Sequence, residues 1–461
     1  MRRIAVGLTV SVLVALRVGG AIHYVNPANG APVPPYASWG TAATTIQDAV
    51  DYASVGDQVL VTNGGYFAGS RVSSDGATNR VVVTNAITLQ SVNGALVTTI
   101  DGGNTMRCVY LANGAVLSGF ALAKGNAING AGVYCVSSNA WVSSCQISFN
   151  RGKFGGGVYS GTVSNCTVSS NSVVGSGAGA LGGYLVNCTI NYNICNGSGA
   201  TVGGGASGAM LTNCTLTGNR AIGAGADGGG ANASVLNNCT LSNNRADFAG
   251  GGAYNSVLTN CTLVSNVASY GGGGVSGGTL VNCVLRNNTS NGGYGGGVYW
   301  TTTLINCTLV GNTAGYGGGG YSCTFYNCII YYNSAPTGAN TYGATFNYCC
   351  TPDTGGVGNT TAAPIFVNQA GGDFHLQGGS GAIDTGTNFY AWSLTDFDGN
   401  LRIANGTVDM GAFEYQQPNP ANISIQADYT NVVVGITVSF TGIFSRGKTD
   451  SWGLWRRHSR E

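Results

Sequence analysis

Nine times between Cys145 and Cys328 the chain repeats one pattern: an apolar residue, two further residues, Cys, and an Asn five places after the Cys. The cysteines are Cys145, Cys166, Cys188, Cys214, Cys239, Cys261, Cys283, Cys307 and Cys328, with gaps of 21, 22, 26, 25, 22, 22, 24 and 21 residues. The later Asn is present all nine times, from Asn150 and Asn171 to Asn312 and Asn333. A unit this short cannot bury its own apolar face, so it must stack on its neighbours to make a core. The pattern therefore requires a solenoid.

Within a coil, Cys283 and Leu285 alternate as one face of a strand should, and the residue three before the Cys is apolar in all nine repeats. Offsets of three and zero have opposite parity, so the chain must bend between them. The residue before the Cys is Asn in eight of nine repeats, Ser144 being the exception. Asn tolerates the left-handed conformation of a sharp corner, and its amide can bond to the Asn of the next coil. A glycine-rich segment such as Gly271 to Ser276 supplies the remaining strand. Short strands, tight bends and coils of about 22 residues predict an all-β parallel β-helix rather than helical repeats, whose units are longer. With Phe120 as an earlier coil, about ten coils at about 4.8 Å give a rod of roughly 50 Å.

One Cys per coil at one position makes a column, and free Cys packs as a small buried hydrophobe. The 15 cysteines therefore read as core filler; Cys108 with Cys135, and the adjacent Cys349 and Cys350, stay open to oxidation. Zinc is excluded within the array, which has no Cys-x-x-Cys pair and no His. Charged residues are only 8% of the chain and the net charge is +1, which leaves no footprint for nucleic acid or a charged membrane. Met1 to Arg3, the apolar run from Ile4 to Val18 and the small residues Gly19 to Ala21 read as a cleaved secretory leader. The expected mature chain is thus exported, secreted or held at a bacterial cell surface, with no transmembrane segment.

The array resembles the right-handed parallel β-helix proteins of the pectin-lyase-like superfamily. Its Leu263 to Asn266 stretch followed by Gly273, Gly274 and Val275 is similar to the repeats of polymorphic outer-membrane proteins. The resemblance covers roughly residues 100 to 350 and implies a fold, while that superfamily mixes lyases, hydrolases and adhesins.

The organisation expected is a leader over 1–21, a cap and first strands over 22–101, β-helix repeats over 102–350, a closing segment over 351–417, and a linker with a truncated domain over 418–461. Ile46, Ala49 and Val50 predict a short amphipathic helix that blunts the open edge of the first coil. Ala382 to Gly386, Asp396 to Arg402 and Val408 to Glu414 are similar to the closing segment of such exoproteins, a type grouped with surface-anchoring regions. Its charges read as a structural cap with Arg402 paired to a carboxylate. The alternative is a calcium site made by Asp396, Asp398 and Asp409. Beyond Pro418, Ile423 to Phe444 resembles the start of a PKD-type β-sandwich. Deleting one base after Trp452 would restore a PKD-like ending, so a frameshift is expected there.

Between Gly102 and Pro352 the carboxylates are Asp227 and Asp247, with no Glu and no His. Glycosidases ordinarily need two carboxylates, and these two lie 13 and 8 residues after their cysteines, at different offsets. They are weak catalytic candidates. The outward position after the glycines carries Tyr134, Tyr159, Tyr254, Tyr299 and Tyr321, interspersed with Ser207, Asn232 and Ser276. Such rings can stack on sugar faces while Asn and Ser bond hydroxyls. The expectation is a monomeric, non-catalytic adhesin or polysaccharide-binding scaffold needing no cofactor, calcium aside; the alternative is a polysaccharide lyase or glycoside hydrolase.

Overall fold

The computed structural model describes residues 19–197, 199 and 201–416, and shows a parallel β-solenoid of about 11 turns. The leader up to Val18 and the PKD-like stretch after 418 lie outside the described residues. A 12-stranded parallel sheet runs from Gly64–Tyr66 to Ile329–Tyr331 and holds the strand after each column cysteine. An eight-stranded sheet runs from Asn126–Asn129 to Thr289–Ser290. The largest sheet takes both the glycine-led strand and the strand before the cysteine. Two rungs precede the ten expected, since the cap strands Gly64–Tyr66 and Thr98–Asp101 already stand in the 12-stranded sheet.

Register is held through the 12-stranded sheet: Leu216 pairs with Leu241, Leu241 with Leu263, and Leu263 with Leu285. All four are buried. A one-residue slip would turn this apolar column to solvent, which fixes the alignment. The corner before the cysteine is left-handed as expected, with φ +52° at Asn165, +53° at Asn213 and +52° at Ser144. The expected amide ladder at that corner is sparse, with Asn282 donating to Asn260 at 3.2 Å. A continuous amide ladder stands instead at the Asn five places on, where the chain turns inward and no water reaches.

In that ladder the Asn244 Oδ1 accepts from the Asn219 backbone N at 2.9 Å and from Asn219 Nδ2 at 3.0 Å. Asn244 Nδ2 donates to Leu216 O at 2.9 Å and to Asn266 Oδ1 at 3.0 Å. The same set repeats from Asn150 to Asn333. An amide carries both a donor and an acceptor, so one side chain satisfies the coils on both sides, which neither Asp nor Leu can do. The glycine runs have two jobs. Gly250 makes a left-handed turn (φ +66°), whereas a Cβ on Gly251 would lie 2.4 Å from Val267 O and 2.5 Å from Gly273 O. The next coil's backbone occupies that space.

All fifteen cysteines are free and buried. In the column, Cys145 N donates to Cys166 Sγ at 3.3 Å and Cys307 N to Cys328 Sγ at 3.4 Å. Each thiol also donates to the carbonyl two residues back, as in Cys214 to Thr212 O at 3.3 Å. Outside the column, burial pushes Cys108, Cys135 and Cys323 up to about 12, far from thiolate chemistry, and within it every thiol is closed off from solvent. The folded protein is therefore expected to resist alkylation by iodoacetamide near neutral pH and to react at its cysteines once unfolded in guanidinium. Rapid labelling of the folded chain, read by peptide mass spectrometry, would show the column to be open.

Both ends of the array are covered. The helix Ile46–Tyr52 forms as predicted, with the Thr45 hydroxyl accepting from Asp48 N. Its Gln47 exchanges hydrogen bonds with the Val82 backbone, 2.8 Å to Oε1 and 3.2 Å from Nε2. At the other end the chain folds back as a clasp over the outer face of the 12-stranded sheet. Val284, Val310 and Ile329, which point away from the solenoid interior, form a second core with Phe366, Phe374, Leu376, Met410 and Phe413. Ala412 N bonds Thr308 Oγ1 at 3.0 Å and Gly411 N bonds Asn327 O at 2.8 Å, fastening the clasp.

Candidate functional site

The outward column containing the predicted tyrosines is continuous and in register. It reads Tyr110, Tyr134, Tyr159, Leu181, Ser207, Asn232, Tyr254, Ser276, Tyr299, Tyr321, Tyr342. The five predicted tyrosines therefore share one face, but they fall into three environments.

At the N-terminal end, Tyr110 and Tyr134 stack at 5.6 Å with their planes 7° apart, and Tyr134 and Tyr159 at 4.9 Å and 13°. Near-parallel rings at this spacing spend their faces on one another, so Tyr134 offers no free face to a sugar. The Arg107 guanidinium sits 4.7 Å from its centroid. Arg107 is itself buried and bonded to Asp75 at 2.7 Å, Asn79 at 2.8 Å and Asn129 O at 2.9 Å. It pins the hairpin Arg71–Asn79 to the solenoid and holds the Asp75 carboxyl down at about 2 against the cost of burial. This end is a strut.

Tyr254 stands between Asn232 and Ser276 with no aromatic neighbour among the described residues. Near it lies Asp227, whose carboxyl burial pushes up to about 6. Asp227 Oδ1 accepts from Ala249 N at 3.1 Å, whereas Asp247 accepts from Gly223 N at 3.3 Å and pairs with Arg245 at 3.5 Å. The two carboxylates thus engage different parts of the turn and share no partner.

At the C-terminal end the column broadens. A second aromatic column, Phe248, Tyr270, Tyr294 and Tyr316, lies beside it, each ring just before a glycine run. Tyr270 meets Tyr299 edge-on at 5.9 Å and 89°, and Tyr294 meets Tyr321 at 4.7 Å and 57°. Tyr270 also stacks on Phe248 at 4.7 Å and 6°, and Tyr321 on Tyr342 at 5.6 Å and 18°, so the rings interlock across both columns while staying partly exposed. Tyr270, Tyr316 and Tyr342 are 41–44% exposed and Trp300 is 60% exposed. Trp300 holds a left-handed backbone, φ +44°, a cost that an L-residue bears only where the surroundings impose it. Between Arg286 and Asp353 the sequence has no Asp, Glu, Lys, Arg or His, so the platform carries no charge. The aromatic residue preceding each glycine run was visible in the sequence, but only stacking of the coils places it beside Tyr299 and Tyr321.

The three carboxylates predicted to hold calcium do not face a common point. Asp396 is buried and spends its oxygens on the backbone N of Asp398 at 3.0 Å, Asn400 at 2.8 Å and Glu414 at 3.0 Å. Asp398 bonds His375 Nε2 at 2.5 Å. Asp409 accepts from Asp384 N at 2.6 Å and from Tyr415 N at 2.5 Å. The acids that do converge are Asp384, Asp409 and Glu414, and Glu414 bonds buried Arg402 at 2.9 Å. Arg402 thus has the carboxylate partner expected of it, and already supplies positive charge there.

These groups make the clasp sensitive to pH. Burial pushes Asp409 up to about 7. For His375 burial opposes the charge, but Asp398 and Asp373 outweigh it and raise its pKa. A raised folded pKa contributes stability that is complete below the unfolded value and lost as pH climbs through the folded one. The window for Asp409 runs from 3.8 to about 7, and for His375 it lies above 6.5. Asp373, lowered chiefly by its bond to His375, acts in the opposite sense only in acid below 3.8. The clasp is expected to be tighter near pH 5 than near pH 8, read as faster amide exchange of residues 373–416 at the higher pH after correction for the intrinsic rate. Equal protection at both would contradict this.

Among the described residues no helix is long and apolar enough to cross a membrane. A family model described as "Right handed beta helix region" matches residues 157–314. No curated protein matches the chain. Among solved structures, the chain is similar to pectate lyase Pel9A at 14% identity and a TM-score of 0.37, covering 86% of this chain and 96% of that one. It is similar to XylC in complex with xylose at 9% identity and 0.35, covering 86% and 99%. The catalytic unit of a GH87 alpha-1,3-glucanase from Streptomyces thermodiastaticus strain HF3-3 follows at 15% and 0.32, covering 68% and 64%. These are likenesses of coil architecture, and no residue role passes from them to this chain.

Proposed function

We propose that the protein is an exported, non-catalytic β-helix scaffold that binds neutral polysaccharide at a cell surface or in the surrounding medium, acting as a monomer and without a cofactor. The observation that carries this reading is the uncharged aromatic platform of Tyr270, Tyr294, Tyr316, Tyr299, Tyr321, Tyr342 and Trp300 on a rigid face. Aromatic rings supply apolar contact with the flat C–H faces of pyranoses, and tyrosine hydroxyls supply hydrogen bonds, at little entropic cost because the solenoid fixes their positions. Absence of charge disfavours uronate polymers, which would lose hydration without gaining a cationic partner.

The second reading, a lyase or hydrolase, rests on Asp227, whose carboxyl is pushed into the range of a general acid. Its candidate companion, Asp247, is held by Gly223 N and Arg245. Affinity electrophoresis of the full chain in gels containing xylan, galactomannan, soluble β-glucan or polygalacturonate tests the binding reading. Retardation by a neutral polymer, and not by polygalacturonate, is the expected result; free migration in all four gels would remove the basis for it.

A further inference from the structure

We infer that the shallow cleft between the clasp and the 12-stranded sheet is a second saccharide site, sized for a neutral mono- or disaccharide. The inference rests on the proposed function for the kind of ligand, but on different residues. The cleft has a volume of about 340 Å³ and is lined by Asn238, Thr240, Asn260, Thr262, Phe397 and Asp398. That is at the lower end of small-ligand sites, roughly 300–1,000 Å³.

Its floor is two successive copies of one rung. Thr240 pairs in register with Thr262, and Asn238 and Asn260 occupy the same left-handed corner, each with φ +52°. Hydroxyls and amides therefore recur about 4.8 Å apart along the rod, a spacing that can address vicinal hydroxyls of one ring. The wall is the Phe397 to Gly399 turn of the clasp. Phe397 is propped by Phe413, with centroids 5.1 Å apart at 54°, which leaves part of the ring for a sugar face. Asp398 is fixed through Oδ2 by His375, whose Nδ1 is in turn bonded to Asp373 at 2.5 Å. One carboxylate oxygen thus remains to accept from a sugar hydroxyl, already oriented. A carboxylate, two amides, two hydroxyls and an aromatic ring make a complementary set for a polyol. His375 offsets the Asp398 charge, and no Lys or Arg lines the cleft, so an anionic saccharide finds no partner.

The test is ligand-observed NMR on the full chain with cellobiose, xylobiose, laminaribiose and mannobiose. At least one should bind, and Asp398→Asn and Thr262→Val should each weaken it at least tenfold. Tyr299→Ala/Tyr321→Ala should leave this binding unchanged while losing retention on polysaccharide gels. Thr262→Val keeps the β-branched shape on an outward strand position, so loss there is not a folding effect. Binding of none of the four disaccharides, or equal binding by both cleft variants, would overturn the site. If disaccharide binding persists where wild-type retention on polysaccharide gels is absent, the cleft stands and the platform reading fails.

Discussion

Asn244→Ala is expected to destabilise the solenoid by about 3–6 kcal/mol, a large loss for one substitution. The side chain sits in a dry interior and makes four bonds. Its removal strands the Asn219 backbone N–H and one Asn219 Nδ2 hydrogen, and takes one donor each from Leu216 O and Asn266 Oδ1, the latter keeping only the Asn244 backbone N–H at 3.0 Å. Stranded buried donors each cost roughly 1–3 kcal/mol and a methyl group cannot replace them. Asn244→Asp should be nearly as harmful, because a carboxylate keeps the acceptors and loses the donor that Asn266 needs. Ser242→Ala, on the half-exposed outward face two residues away, should cost less than about 1 kcal/mol. Guanidinium unfolding followed by circular dichroism separates the cases. Because coils contact only their neighbours, amide exchange should rise first around Asn219 to Asn266 rather than throughout the chain. An Asn244→Ala protein as stable as Ser242→Ala would mean that the ladder is incidental.

Tyr299→Ala/Tyr321→Ala should weaken neutral-polysaccharide binding roughly ten- to hundred-fold, from about 0.5–1.5 kcal/mol per aromatic contact. Tyr134→Ala/Tyr159→Ala should leave binding within about twofold while lowering stability, because those faces are already spent on Tyr110, on each other and on Arg107. The two pairs hold equivalent positions in the repeat and all four rings are half-buried, so the contrast isolates the surroundings of the rings from residue type. Equal losses from both pairs would show that the whole column, rather than its C-terminal end, contacts the polymer.

The repeat made the solenoid legible because its causes are local. A cysteine every coil, a left-handed Asn before it and an apolar residue three earlier define strands and corners within some twenty residues. The sequence placed an inter-coil amide ladder at the corner, whereas the structure places it at the Asn five residues on, since only that position turns into dry space. The clasp was partly written in the outward positions: Thr215, Thr240 and Thr262 give way to Val284 and, after Thr308, to Ile329, while Val310 follows Arg286 at the next outward position. An apolar residue on an outward face asks for a cover. Which segment covers it depends on a return of the chain that no local period encodes. The aromatic platform and the cleft share that difficulty, because Tyr270 meets Tyr299, and Thr262 meets Asp398, only after coils stack and the clasp docks. For the same reason Asp396, Asp398 and Asp409 looked like one cation site, although each is committed to a different partner.

The central claim, that this face binds polysaccharide without breaking it, is most directly tested by mass spectrometry of the soluble fraction. The full chain would be incubated, with and without calcium, with the polymer that retards it in gels. Unaltered polymer, with no new oligosaccharides in either condition, is the result expected of a scaffold. Hydrolysed or unsaturated oligosaccharides that vanish in Asp227→Asn would contradict it and make the protein a depolymerase.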